Sequence, residues 1–298
     1  MTFVATLISG TGILFDEALA GEIAAALPSP GAPRWLEPGR AVDIPFSAEP
    51  AFDQRAAADA LRATLAPAPV DVVVQPAAHR RKRLFLADMD STMIRQECID
   101  EMADYVGLKD TIAAVTERAM RGEIAFVPAL RERVALLKGL PLGTIDEVLD
   151  KRITLTPGGR TLVATMRAHG AYTCLVSGGF TLFADRIAAA IGFDEARANR
   201  LVVEDGALAG EVAEPVFGRE AKQATLAELR ARLGLAPEDT MAIGDGANDL
   251  DMIRDAGLGV AYHAKPAVAA AAAARIDYGD LTALLFAQGY RREEWAEA

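Results

Sequence analysis

Cysteine is scarce in this chain. Two residues of this type, Cys98 and Cys174, stand among 298, too few for a disulfide framework, so stability must come from a packed core and a reducing cytoplasm is the expected home. Histidine is nearly as scarce: His79, His169 and His263 are far apart and show no metal-ligand spacing. Long apolar runs are missing. The longest, 267–274, falls far short of the roughly 18 residues of a membrane span, and its alanines read as a helix. The first fifteen residues carry neither a basic segment nor a small-residue cleavage site, so no secretory leader is expected. Positive charge is in deficit: 31 Lys and Arg against 42 Asp and Glu leave a net charge of −11, which argues against a nucleic-acid partner. No G-x-x-x-x-G-K-[ST] loop occurs. Gly10-Thr11-Gly12 starts like a dinucleotide fingerprint without its third glycine, and Leu175-Val176-Ser177-Gly178-Gly179 lacks the first glycine of a nucleophile elbow.

What remains is ordinary globular material, 51% hydrophobic and 24% charged, long enough for two domains at roughly 100–200 residues each. Residues 1–80 alternate strand and helix patterns: strand 3–8, helix 15–27, a Pro- and Gly-rich break over 28–38, strand 43–46, helix 53–65 and a β-branched strand 70–74. The basic run His79-Arg80-Arg81-Lys82-Arg83 reads as a solvated linker. Leu84-Phe85-Leu86-Ala87 has no polar alternation and predicts a strand buried on both faces, as in a parallel sheet. Residues 97–150 then carry four short helical patterns (98–105, 111–120, 127–138 and 144–150), an inserted bundle. After it come helix 158–169, strand 172–176, helix 181–191, a hairpin around Asp205-Gly206 with strands 201–204 and 211–216, helix 222–233, strand 240–243, helix 250–255 and strand 259–261. This rhythm predicts a doubly wound α/β core.

In such a core, ligands bind beyond the carboxyl ends of the strands. Three groups sit there, and a fourth lies near a helix start. Asp88-Met89-Asp90-Ser91-Thr92 places two carboxylates two residues apart, as a nucleophile with an acid/base or as an Asp-rich cap and turn. Ser177-Gly178-Gly179 offers a hydroxyl and backbone N–H groups to an anion, or is a plain turn. Gly244-Asp245-Gly246-Ala247-Asn248-Asp249 offers hard oxygen ligands that suit Mg²⁺, with glycines that let the backbone approach a ligand. Lys222, near a helix start, opposes the helix dipole unless an anion faces it. Taken singly, Ser177 and Lys222 are better explained by a plain turn and an exposed helix lysine. Together and in this order, the four form a set for phosphoryl transfer.

The set resembles the haloacid dehalogenase (HAD) superfamily of phosphatases, whose first motif is Asp-x-Asp-x-[Thr/Val], and within it the branch that acts on O-phosphoserine. The resemblance covers roughly residues 84–290. It implies a HAD-like, Rossmann-like parallel sheet over residues 81–298, with a four-helix cap inserted at about 95–155. Asp88 would be the nucleophile, forming an aspartyl phosphate. Asp90 would be the general acid and then the base. Mg²⁺ would be held by the Asp88 carboxylate, the Asp90 carbonyl and Asp245. Asp249 would hold metal-bound water or orient Lys222. Ser177, Gly178 and Lys222 would bind phosphate oxygens, with Asn248 in support. In the cap, Glu97 would meet the substrate ammonium, Arg133 its carboxylate, and Met120 and Phe126 its small side chain. The implied reaction is Mg²⁺-dependent hydrolysis of O-phosphoserine to serine and phosphate, the final step of serine biosynthesis. Another small phosphomonoester, or transfer to an acceptor alcohol, stays open. The expected partner is a small phosphorylated amino acid, with no nucleic acid and no membrane. Residues 1–80 have a compatible order for an ACT-like α+β module but no ligand motif, and dimerisation, regulation and a structural appendage all stay open for them.

Overall fold

In a computed structural model, residues 1–10, 15–120 and 123–297 are described, except for the side chains at 117, 119 and 120. The N-terminal unit runs β1 (Thr2–Ser9), α1 (Glu17–Ala25), β2 (Arg34–Glu37), β3 (Ala41–Ser47), α2 (Gln54–Leu65) and β4 (Val70–Pro76). Its antiparallel sheet has the order β2-β3-β1-β4, a ferredoxin-like β-α-β-β-α-β arrangement. Asp16 and Asp53 start the two helices by accepting the N–H groups of Leu19 and of Arg55 and Ala56. Alternate residues of β1 serve two layers. Phe3, Ala5 and Leu7 pack with Ile23 of α1 and Leu61 of α2, whereas Ile8 joins Ala41 and Val73 against the rest of the chain. β2 lies inside the break expected over 28–38, where its short edge-strand pattern is masked by the surrounding Pro and Gly.

The remainder comprises β5 (Leu84–Ala87), the cap helices α3 (Cys98–Tyr105), α4 (Lys109–Met120), α5 (Phe126–Ala135) and α6 (Leu142–Arg152), then α7 (Gly159–Ala168), β6 (Tyr172–Phe180), α8 (Thr181–Ile191), β7 (Glu195–Asn199), β8 (Leu201–Glu204), β9 (Ala207–Val212), α9 (Arg219–Arg232), β10 (Thr240–Gly244), α10 (Leu250–Asp255), β11 (Leu258–Tyr262), α11 (Pro266–Ala271), β12 (Ala274–Ile276) and α12 (Ala283–Ala287). Six parallel strands form a sheet in the order β12-β11-β10-β5-β6-β7. Strands after β5 in the chain go first to one side and then to the other, so the crevice of this doubly wound sheet opens beyond β5 and β10. Among the described residues, no helix is long and apolar enough to cross a membrane.

Three expectations are corrected. The alanine run is not one helix: α11 stops at Ala271 and Ala274 begins β12, because tertiary pairing with β11 overrides alanine's helical preference. The second hairpin strand begins at Ala207, directly after the turn, and ends at Val212. This hairpin clamps the cap: Gly139 N–H donates to Leu208 O, Leu208 N–H to Leu140 O and Leu142 N–H to Gly206 O.

The third correction concerns residues 79–83, which are an interlock rather than a solvated linker. Arg80 forks onto Asp43 at 2.7 and 2.9 Å and reaches Ala287 O at 3.1 Å, joining the N-terminal sheet to α12. Gln75 donates to the same carbonyl at 2.6 Å. Lys82 is only 5% exposed and donates to Glu238 O at 2.7 Å. Burial pushes its ammonium from 10.5 down to about 8. Between those values the unfolded chain binds the extra proton, so stability rises with pH there. Unfolding free energy of the wild type, relative to Lys82→Met, should therefore climb from pH 8 to 10.5 in denaturant titrations; a flat difference would contradict the burial of the charge.

Candidate active site

The first strand end builds one wall. Asp88 follows β5, is buried, and donates its N–H to Ile243 O at 3.0 Å, which locks it beside β10. The chain then turns sharply: Ser91, a non-glycine residue, takes φ +55° in the left-handed region. The turn brings Asp90 to the start of α3, where the Cys98 N–H donates to its carboxylate at 3.1 Å, so the positive end of a helix faces this acid. Ser91 Oγ donates to Glu97 at 2.6 Å.

The end of β10 builds the opposite wall. A Cβ on Gly244 would lie 2.3 Å from Asp249 Cγ, so only glycine admits the Asp249 carboxylate here. Gly246 N–H donates to that carboxylate at 3.1 Å. Lys222, in the first turn of α9, has no solvent exposure. Its ammonium donates to Asp88 at 2.5 Å and to Asp249 at 2.7 Å. The helix-start lysine is thus neither exposed nor unpaired, which answers the dipole objection raised by its position.

The charges do not balance. Asp88, Asp245 and Asp249 bring one carboxylate oxygen each to within 4.8 Å of one another. Burial alone would lower the Lys222 ammonium, but Asp249 and Asp88 outweigh it and hold the group charged. Burial, and then the Asp249 carboxylate, push Asp88 well above the usual carboxylate range despite Lys222. Burial, Asp249 and Glu97 raise Asp245 to about 6. Three converging carboxylates with one ammonium leave excess negative charge in a desolvated space, and hard oxygen donors of this kind fit a divalent cation. Asp90 stands outside that triplet. Its carboxylate is taken by the Cys98 N–H, and burial with the Glu97 charge raises it to about 7, a value suited to giving and taking protons near neutrality.

A third wall is the end of β6. Ser177 is buried, and its Oγ accepts the Gly179 N–H at 2.9 Å. A Cβ at Gly179 would sit 2.9 Å from Asp90 Oδ2, so the missing side chain lets the loop and the acid approach. The sequence reading missed Asn199, the last residue of β7. This buried amide donates to Gly178 O at 2.9 Å and Phe217 O at 2.8 Å and accepts Phe217 N–H at 2.6 Å, tying the Ser177 loop to the segment that enters α9. No local signal marks it, because its partners are carbonyls brought together only by the fold. Asn248 is half-buried, with Oδ1 close against Gly246.

The cap closes from above. Phe126 starts α5, is 40% exposed, and lies 3.6 Å from a Cβ position on Gly178 and 3.1 Å from one on Gly218. Arg133 is half-buried. Its guanidinium donates to Ala129 O at 3.3 Å and to Thr116 Oγ1 at 3.4 Å, and burial lowers it while Asp100 and Glu97 pull it back up. Glu97 is exposed. The Met120 side chain lies outside the described residues.

Residues 85–254 match the profile of the haloacid dehalogenase-like hydrolases. The chain belongs to this family. The chain of this HAD hydrolase is 47% identical over 208 residues to a phosphoserine phosphatase of Polaromonas sp., across 68% of this chain and 88% of the relative. A crystal structure of a HAD family hydrolase from Salmonella enterica serovar Typhi superposes with a TM-score of 0.85 at 31% identity, covering 96% of this chain and 97% of that one. A substrate-bound phosphoserine phosphatase complex superposes with a TM-score of 0.64 at 39% identity, covering 68% of this chain and 97% of that one.

Proposed function

We propose that this HAD hydrolase hydrolyses O-phosphoserine to serine and phosphate through a phosphorylated Asp88, with Mg²⁺ as cofactor, as the last step of serine biosynthesis. The observation that carries the reading is the split between two neighbouring acids. Asp88 is gripped by Lys222 inside a cluster of carboxylates, while Asp90 is turned away onto a helix start and raised to about 7. One acid is set to attack and the other to exchange protons.

Asp88 and Asp245 would hold the cation, with the Asp90 carbonyl completing the protein's share; Asp249 is already engaged by Lys222 and Gly246 and orients that lysine. When bound, Mg²⁺ offsets the repulsion between carboxylate and phosphate and stabilises charge on the transferring group. Asp88 Oδ attacks phosphorus, the P–O bond to the serine oxygen breaks, and Asp90 delivers its proton to that oxygen. Asp90 then takes a proton from water, whose oxygen attacks phosphorus and releases Asp88 with phosphate. Lys222, Ser177 and the Gly178 backbone hold the phosphate oxygens. Glu97 and Arg133 select the amino acid by its ammonium and carboxylate, and Phe126 with Met120 covers the small side chain. Residues 1–80 serve as a module docked on the phosphatase unit of 81–298, whose cap spans about 95–155.

Phosphate release from a panel of phosphorylated metabolites, with Mg²⁺ and with EDTA, tests the reading. Release from O-phosphoserine in preference to the others, abolished by EDTA, is expected; no release from O-phosphoserine refutes it. The cap assignment has its own test. Arg133→Ala should raise KM for O-phosphoserine about 100-fold, the cost of leaving a carboxylate unpaired, and leave p-nitrophenyl phosphate turnover nearly unchanged. Equal losses on both substrates would remove Arg133 from carboxylate recognition.

A further inference from the structure

The N-terminal module sends one fully buried carboxylate out of its own sheet and into the other unit. Asp71, on β4, is 1% exposed. It accepts the Asp277 N–H at 2.7 Å, the Tyr278 N–H at 3.2 and 3.3 Å, and the Gly279 N–H at 2.7 Å. Three consecutive backbone donors on one carboxylate fix the path of that loop as firmly as a cap fixes a helix start. A buried carboxylate is retained at a cost in desolvation, and an apolar residue would have closed the same interface, as Ile8 and Val73 do beside it.

The loop it fixes touches His263, two residues before Lys265, whose N–H donates to the backbone of Asp245. Gly279 O accepts a hydrogen bond from His263 Nε2 at 2.9 Å; a carbonyl only accepts, so Nε2 carries the proton. His263 N–H donates to Ile276 O at 2.8 Å. These two bonds hold His263 at φ +44°, a left-handed conformation that a non-glycine residue keeps only when its surroundings impose it. Two residues on, the Lys265 N–H donates to Asp245 O at 3.1 Å. Each link is a direct hydrogen bond or two residues of chain, and the path ends on the backbone of a carboxylate assigned to the cation.

We infer that Asp71 is a positioning residue for the metal site: through the 277–279 loop and His263 it sets the placement of Lys265 and thereby of Asp245. The inference rests on the reading of Asp245 as a Mg²⁺ ligand. It gives residues 1–80 a part in forming the site, because the carboxylate that shapes the 263–265 turn comes from their sheet.

Spatial continuity becomes coupling only when perturbations along it are shown to interact. Mg²⁺ binding to the full chain without substrate, followed by calorimetry, together with the unfolding temperature in EDTA, provides that test. Asp71→Asn keeps the shape but turns an amide N–H₂ toward one of the loop's donors. It should raise the Mg²⁺ dissociation constant about 10-fold, within the range produced by mutations along a coupled network that do not themselves touch the ligand. His263→Ala should do the same without touching the module. In the double variant the loss should not exceed the larger single loss, as required of two steps on one path. Arg80→Gln breaks the other arm of the same interface, and should lower the unfolding temperature with no change in Mg²⁺ affinity. Wild-type affinity in Asp71→Asn, or a 10-fold loss in Arg80→Gln, would reduce Asp71 to an interface residue and overturn the inference. If Asp71→Asn does not fold, His263→Ala decides alone: weakened binding supports the path and unchanged binding overturns it. A wild-type protein that binds no Mg²⁺ would instead refute the reading of the site itself, and the inference with it.

Discussion

Asp88→Asn should lose at least about 1,000-fold in kcat on O-phosphoserine, the scale at which removal of a nucleophile leaves only binding and charge stabilisation at work. The same protein should remain folded, and its metal-free form should unfold no more easily than the wild type. The sign follows from the site. Burial and the Asp249 carboxylate raise Asp88 well above its usual range, so at neutral pH its ionised form costs folding energy. An amide of equal shape removes that cost while leaving Asp249 to pair with Lys222. Steady-state kinetics with thermal unfolding in EDTA checks both halves. Activity within tenfold of the wild type would move the nucleophile elsewhere, and a large drop in unfolding temperature would mean that the Asp88–Lys222 contact is chiefly structural.

Lys222→Met should fail in both respects. The ammonium has no solvent exposure and two carboxylate partners, at 2.5 and 2.7 Å. Removing it strands two buried carboxylates, a change that costs about 3–5 kcal/mol, and activity should fall by a further factor on the order of 1,000 because phosphate loses its buried cation. Two rescues separate the effects. Mg²⁺ should restore part of the lost stability, since it supplies positive charge to the same carboxylates. Adding Asp249→Asn should restore stability further and activity not at all. If Lys222→Met unfolds like the wild type in the absence of metal, the ion pair does not carry the weight assigned to it here.

The legible parts of this chain were those whose physics is local. Leu84 to Ala87 reads as a doubly buried strand because it is apolar without alternation, and Asp205-Gly206 reads as a turn because both residues accept positive φ. Three of the four chemical groups, at Asp88, Ser177 and Asp245, lie at strand ends, where the α/β rhythm puts the crevice, whereas Lys222 lies in the first turn of α9 and meets Asp88 and Asp249 only through the fold. What stayed hidden is long-range. β7, with the sequence Glu-Ala-Arg-Ala-Asn, is a half-exposed edge strand held by pairing with β6, and β12 emerges from alanines that alone prefer helix. The run of basic residues at 79–83 looks solvated until Asp43, Ala287 and Glu238 are brought to it. Asn199 and Asp71 carry no motif, because their partners are backbone atoms from distant segments.

Acid quenching during turnover of O-phosphoserine, followed by mass spectrometry of the peptides, tests the central claim most directly. The account predicts one phosphoryl group on the peptide that contains Asp88, absent in EDTA and in Asp88→Asn. Steady hydrolysis of O-phosphoserine without a trapped phosphoryl group on that peptide, in a quench that preserves acyl phosphates, would contradict it.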